Sequence, residues 1–396
     1  MFWREIDKKE RIFLSRRIDD IEILRGFAVL FVVAHHAMDN LFTWKTPRLE
    51  LFSAYFSGGF GVDLFFAISG FVIARDLVPR LTSSPTVASS FRITVSFWIR
   101  RAWRLLPSAW FWLAVTLIMV VIFNQSGAFG GFRSNLAATV AGVLQVANIR
   151  FAETFGQSEY GVSFVYWSLS LEEQFYFLLP LLVIVGRRFL PYLLLALVLF
   201  QLFSTRTLLG IVFRSDALAL GVLLALWYRQ ETYIMVRPAF LKGWGTLLLL
   251  GILASMAFVG ALKVVAPVFS LFALLSILLV WAASYDMDVF LPHGRLRKLL
   301  LWVGARSYAI YLIHVPVFYM TREIWFRLSP DTVPDNRLFL PYLFTAGLLL
   351  TVLSELNFRL IEVPFRRRGA EISQRFLTGE SGRPHEEGDG MQRSKG

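Results

Sequence analysis

An arginine and two histidines bracket an apolar run in Arg25-Gly26-Phe27-Ala28-Val29-Leu30-Phe31-Val32-Val33-Ala34-His35-His36. On a helix, Arg25 and His36 project from nearly the same face about 16 Å apart along the axis, with His35 turned roughly 100° away. An ionisable group within a lipid-facing helix is costly unless it meets a polar cavity or partner. A neutral imidazole there can act as a general base or carry a transferred group. The plainer reading is a snorkelling Arg25 and a His36 hydrogen-bonded between helices.

Further ionisable residues recur in the same kind of setting. "GGFGVDLFFAISGFVIARD" places Asp63 among phenylalanines, where a carboxylate could orient the His36 ring, while Ser69 and Gly70 read as a close-packing pair. "FWIRRAWRLLPSAW" clusters Arg100, Arg101 and Arg104 near Phe97 and Trp103. That cluster is either a positive-inside anchor or an anion site in which guanidinium forks hold phosphate and a ring stacks on a base. "YWSLSLEEQFYFLLPLL" puts Glu172 and Glu173 side by side in an apolar helix, with Glu172, Gln174 and Tyr176 the favoured inward-facing set. "RSDALALG" holds Arg214 and Asp216, readable as a structural pair, and "GARSYAIYLIHVP" holds His314, readable as a satisfied core histidine. Charged groups in so many apolar stretches argue together for a shared polar cavity.

The elements that must position these residues are membrane helices. Of 396 residues, 56% are hydrophobic and only 17% charged, and blocks such as "LLLLGILASMAFVGAL" are apolar on every helical face, which excludes a water-soluble bundle. Apolar spans are expected near 21–40, 57–76, 105–124, 163–186, 189–205, 212–228, 243–262, 265–284, 300–320 and 339–362, giving an all-α integral membrane bundle of about ten transmembrane helices. The stretch 135–149 is too short to cross and is expected to be re-entrant or to lie on the outer surface. With it not crossing, the basic clusters at 4–17, 75–104, 187–188, 229–242, 295–298 and 366–368 all fall on one face, which the positive-inside rule makes cytoplasmic along with both termini.

The net charge of +12 is thereby explained without a nucleic-acid partner. Residues 1–17 read as a basic cytoplasmic arm with no cleavable signal, 18–366 as the transmembrane domain and 367–396 as a disordered polar cytoplasmic tail. Cysteine is absent, which excludes disulfides, a thiolate metal site and a cysteine acyl carrier; no metal site is expected.

The order RGFAVLFVVAHH, GVDLFFAISGF, FWIRRAWRLLP, WSLSLEEQFY, RSDALALG, ARSYAIYLIHVP and FRLIEVPFR resembles the membrane-bound acyltransferase 3 family over residues 18–367. The resemblance implies an O-acyltransferase of surface polysaccharides, O-antigen, Nod factors or macrolides, in a stand-alone form without a fused esterase-like domain. It places the essential histidine on His36 and its arginine on Arg25. It also places the donor-handling arginines on Arg100, Arg101 and Arg104, and the WSLxxE glutamate on Glu172; the role of His35 stays open.

The expected reaction takes an acyl group, acetyl in the simplest case, from cytoplasmic acyl-CoA to a hydroxyl of an extracytoplasmic glycan or glycolipid at the inner membrane. His36 would serve as general base or transient acyl carrier, Arg25 would guide the donor, and Glu172 and Asp63 would set charge and tautomer or contact the acceptor. Acyl-CoA is a substrate here, and no permanently bound cofactor is expected. The alternative is a transporter or flippase for a lipid-linked or polyol substrate with proton-relaying buried groups, against which no inverted repeat is found.

Overall fold

The computed structural model describes residues 17–204, 206–259 and 267–378. Among them every regular element is helical, in keeping with the all-α expectation. The main helices are α1 (Asp19–Asn40), α2 (Gly61–Thr82), α3 (Val87–Ile122), α4 (Tyr166–Gly186), α5 (Leu190–Phe203), α6 (Asp216–Trp227), α7 (Leu241–Val259), α8 (Pro267–Ser284), α9 (Arg295–Ala305), α10 (Ser307–Leu328), α11 (Phe339–Asn357) and α12 (Val363–Thr378). The expected basic arm falls almost wholly at 1–16, outside the described residues, as do the last eighteen positions of the expected tail.

Among the described residues five stretches are long and apolar enough to cross a membrane: Asp19–Asn40, Val87–Ile122, Val162–Phe203, Leu208–Trp227 and Asn336–Thr378. A sixth is added if α9 and α10, which meet at 77°, act as one bent span. The chain is a multi-pass membrane protein, but among the described residues ten spans are not reached. The reasons are local. Segments 163–186 and 189–205 follow one another as a single apolar stretch, and α2 carries Asp63, Arg75, Asp76 and Arg80 along its length. In the regions expected at 243–262 and 265–284, the described apolar helices are the shorter Gly243–Val259 and Val268–Ser284. The segment 135–149 is broken into helices Phe132–Val143 and Ala147–Thr154 at Gln145, whose φ is 57°. Neither piece is long enough to cross alone.

Sequence chemistry sets where the helices begin and how closely they pack. Thr86 caps α3 through a reciprocal hydrogen-bonded box with Ser89. At 36 residues α3 extends about 54 Å, well beyond the roughly 30 Å hydrocarbon core, so its arginine-bearing half can stand at the membrane margin. Helices α2 and α6 pack with their backbones nearly touching: a Cβ on Gly70 would lie 2.1 Å from the Leu218 carbonyl oxygen, and one on Gly221 would lie 2.3 Å from that of Ala67. Gly70 is thus the packing residue expected, and its counterpart is Gly221.

The expectation of a disordered tail from 367 is corrected, since α12 continues through Thr378. Phe365, Gly369 and Ser373 recur at four-residue spacing and form a seam against α3. Phe365 stacks on Trp103 with centroids 5.8 Å apart, Gly369 lies against the Trp103 side chain, and Ser373 Oγ is 2.5 Å from Ser96 Oγ. A polar, glycine-containing composition concealed this narrow face.

Candidate active site

Helices α1 and α10 bring His36 and His314 together. The rings stack at 15° with centroids 5.1 Å apart, and His36 Nδ1 lies 2.9 Å from His314 Nε2. His314 is fully buried, and its Nδ1 lies 2.7 Å from the Tyr311 carbonyl oxygen. A carbonyl can only accept, so His314 Nδ1 carries the proton and, in a neutral ring, Nε2 is the acceptor. His36 therefore donates from Nδ1 and keeps a lone pair on Nε2, the form a general base requires.

The surroundings fix this pair. Phe164 meets the His36 ring edge-on at 5.2 Å, Asn40 Nδ2 donates to the His36 carbonyl at 2.7 Å, and Tyr319 OH donates to Asn40 Oδ1 at 2.7 Å.

A cavity of about 740 Å³ approaches the pair from the basic side. Arg25, Arg101, Arg104, Ser69, Glu172, Tyr176, Ser168 and Tyr311 are among its lining residues. Ser168 Oγ and Tyr311 OH lie 2.6 Å apart and wall its inner end, one helical turn from His314. The Arg101 guanidinium sits over the Tyr176 ring at 5.3 Å, and Tyr176 OH donates to Glu172. Arg25, Arg104, Val72 and Tyr308 also border a second cavity of about 1030 Å³, which adds Arg17, Arg75, Arg366, Glu22 and Glu362. The two form a vestibule rich in guanidinium. A π-helical turn at Phe358–Glu362 brings α12, with Arg366, onto that vestibule.

A third cavity, about 850 Å³, opens near the other side of His36 and is lined by Asn40, Phe151, Phe155, Glu159, Tyr160, Phe164 and Tyr319 among others. The histidine pair thus meets two differently furnished cavities through their lining residues, Tyr311 of the arginine-bearing one, 5.7 Å from the His314 ring, and Phe164 of the aromatic one, 5.2 Å from the His36 ring. Burial raises the Tyr160 phenol above its ordinary range, so this loop residue remains a hydroxyl.

Several sequence assignments change. Asp63 does not orient His36: both its oxygens accept from Arg214, Oδ1 from Nε at 2.8 Å and Oδ2 from NH2 at 3.2 Å, and both residues are buried. A fully buried carboxylate takes the strongest cation within reach, and Arg214 is nearer to it than any imidazole. Arg214 and Asp216 are accordingly not a pair, because Asp216 is held by Arg206. Arg100 faces away from the cavity, donating to Ser96 Oγ at 2.9 Å and Ser373 Oγ at 3.0 Å, with Asp76 at 3.8 Å. One residue's rotation on α3 separates it from Arg101, and the α12 seam claims it. Gln174 is engaged by Asn148 and the Gln145 carbonyl rather than by the cavity. Glu173 shares a small cavity with Glu172.

His314 was read as a satisfied core histidine and is fully buried, but its partner is His36. Their separation of 278 positions in sequence hides the pairing from any local pattern. Arg17, Arg75 and Arg366 were visible only as members of basic clusters.

A family model described as an acyltransferase domain matches residues 18–356, spanning α1 through nearly all of α11. The chain belongs to this acyltransferase family. Similar proteins include the O-acetyltransferase OatA of Staphylococcus aureus, 25% identical over 401 residues, covering 92% of this chain and 60% of that protein. The peptidoglycan O-acetyltransferase OatA of Listeria monocytogenes is 27% identical over 390 residues, covering 91% of this chain and 58% of that protein. The chain spans about three fifths of the length of these curated relatives. No solved structure matches it. In acyltransferase terms, every motif that carried the resemblance lies inside the matched region except the last, "FRLIEVPFR", which begins just beyond it and runs into α12.

Proposed function

We propose that this chain is an O-acyltransferase of the inner membrane, with both termini cytoplasmic, moving an acetyl group from cytoplasmic acetyl-CoA to a hydroxyl of an extracytoplasmic glycan. The observation that carries this reading is the His36–His314 pair standing between a guanidinium-lined cavity and an aromatic one. The relatives' names supply the acyl group and, from Listeria, the saccharide class. Family membership favours transfer over the transporter alternative.

In the proposed reaction, the CoA phosphates rest on arginines of the vestibule, Arg17, Arg75, Arg104 and Arg366, whose forked donors suit phosphate oxygens. The pantetheine arm follows the cavity past Arg25 and Arg101 toward Ser168 and Tyr311. An acceptor hydroxyl enters beside Phe164 and gives its proton to His36 Nε2 as its oxygen attacks the thioester carbonyl. A tetrahedral intermediate forms. Its collapse breaks the C–S bond, and the proton held by His36 passes to the departing sulfur to give free CoA. The ester remains on the acceptor. His314 keeps the imidazole in the required tautomer and accepts the Nδ1–H bond that strengthens as His36 becomes charged. Glu172, held by Tyr176, offsets the arginines of the inner cavity.

The direct test is acetyl transfer by purified, membrane-inserted protein using labelled acetyl-CoA and a mixed cell-surface glycan preparation. Wild type is expected to label glycan. His36→Ala is expected to lose about 10²-fold to 10⁴-fold in rate while still binding acetyl-CoA, the usual range for a general base. Full activity in a folded His36→Ala protein would end the assignment, and a stable acetylated His36 trapped in a rapid quench would replace the base role with that of acyl carrier.

A further inference from the structure

The aromatic cavity carries information about the acceptor beyond its being a saccharide. Its walls present the faces and edges of Phe151, Phe155, Tyr160, Phe164 and Tyr319, flat apolar surfaces of the kind on which a sugar ring lies, with Asn40 and Ser158 as polar contacts. At its rim Tyr319 supports Arg322, whose guanidinium lies 5.4 Å from the ring centroid. Arg322 in turn lines a neighbouring cavity of about 610 Å³ with Thr43, Ser126, Trp325 and Tyr342.

Arg322 is half-buried, and its partners are unlike those of three buried arginines. Arg206, Arg214 and Arg297 each hold a carboxylate. Arg322 donates only to the Asn40 carbonyl, at 3.4 Å, and among the described residues it forms no ion pair. The neighbouring Glu323 is taken up by Gln125 N and Ser126 N, both at 2.9 Å, and by Arg327 at 2.7 Å. Glu159, the carboxylate of the aromatic cavity, accepts from Gly131 N at 3.0 Å. Asn40 links the cation to the reaction centre, since its side chain donates to the His36 carbonyl. Arg322 lies eight positions after His314 on α10, so their backbone positions are about 12 Å apart along the axis.

We propose that the acceptor is an acidic saccharide, its ring lying on the aromatic walls with the reacting hydroxyl at His36 and its carboxylate or phosphate paired with Arg322. This rests on the reading that the aromatic cavity admits the acceptor. Charge discrimination then resides in Arg322 rather than in Arg150, which lies over the Tyr160 ring but is engaged by the Ser134 and Tyr160 carbonyl oxygens at 3.2 and 3.1 Å, and the Glu159 end of the cavity disfavours an anion placed the other way round.

Two tetrasaccharides of matched length serve as probes, neutral N-acetylglucosamine tetramer and an alternating glucuronate–N-acetylglucosamine tetramer, with binding to full-length protein in nanodiscs read by calorimetry. Wild type is expected to bind the acidic probe about tenfold more tightly, the usual scale of one charge-assisted hydrogen bond. Arg322→Gln is expected to erase that preference while leaving the neutral probe unchanged, and Phe164→Ala to weaken both. Equal binding by wild type, a preference that survives Arg322→Gln, or no binding of either probe overturns the proposal. Acetyl-CoA binding measured on the same samples separates its failure from that of the transferase reading, because a lost acidic preference with intact donor binding leaves the latter standing.

Discussion

In the proposed reaction His36 can serve as a base because of what lies behind it. A lone imidazole between helices could adopt either tautomer, whereas the Tyr311 carbonyl sets His314 and His314 sets His36. His314 is therefore a positioning residue. Replacing it with alanine is expected to lower kcat at least about tenfold with little change in acetyl-CoA affinity, as for a residue that orients a catalytic histidine. Candidate residues were legible where they interrupt an apolar run: Arg25, Glu172, Arg101 and Arg104 line one cavity, and His36 pairs with His314. Partner choice was not legible. Asp63 chose Arg214, Arg100 chose Ser96 and Ser373, and His36 chose His314, because each choice depends on helices far apart in sequence.

Among the elements, α2 and α6 form the inner frame, joined by glycines in backbone contact and by the buried Asp63–Arg214 pair. This pair is structural on the present account. Asp63→Asn leaves a buried guanidinium without its counter-charge and is expected to lower stability by about 3–5 kcal/mol, seen as a clear drop in thermal melting temperature in detergent. Replacing both partners together, Asp63→Leu with Arg214→Met, is expected to recover much of that stability and to retain acetyl transfer. A double variant that melts like wild type yet transfers nothing would return Asp63 to the chemistry. Helix identity was easy to read from apolar blocks, but the number of spans was not, because length and composition do not say how α7, α8 and the bent α9–α10 pair meet the bilayer. The α12 seam was missed for a related reason. Three small or aromatic residues at four-residue spacing carry little hydrophobic signal, yet they suffice against the Trp103 side chain.

For the whole molecule, the clearest feature is asymmetry. One approach to the histidines is furnished with arginines, the other with aromatic rings, beside which Arg322 stands over Tyr319 and Arg150 over Tyr160. That asymmetry was partly visible in the sequence as basic clusters falling on one face. The aromatic cavity was not, since its lining comes from loops and short helices between 128 and 164 together with Asn40 and Tyr319. The measurement that bears most directly on the central claim is sided transfer in sealed liposomes of known protein orientation. Labelled acetyl-CoA is supplied only to the face bearing Arg17, Arg104 and Arg366, and glycan acceptor only to the other. The account predicts labelled acceptor on the far side with wild-type protein and none with His36→Ala. Labelling only when donor and acceptor share one face, or equal labelling from either face, would contradict it.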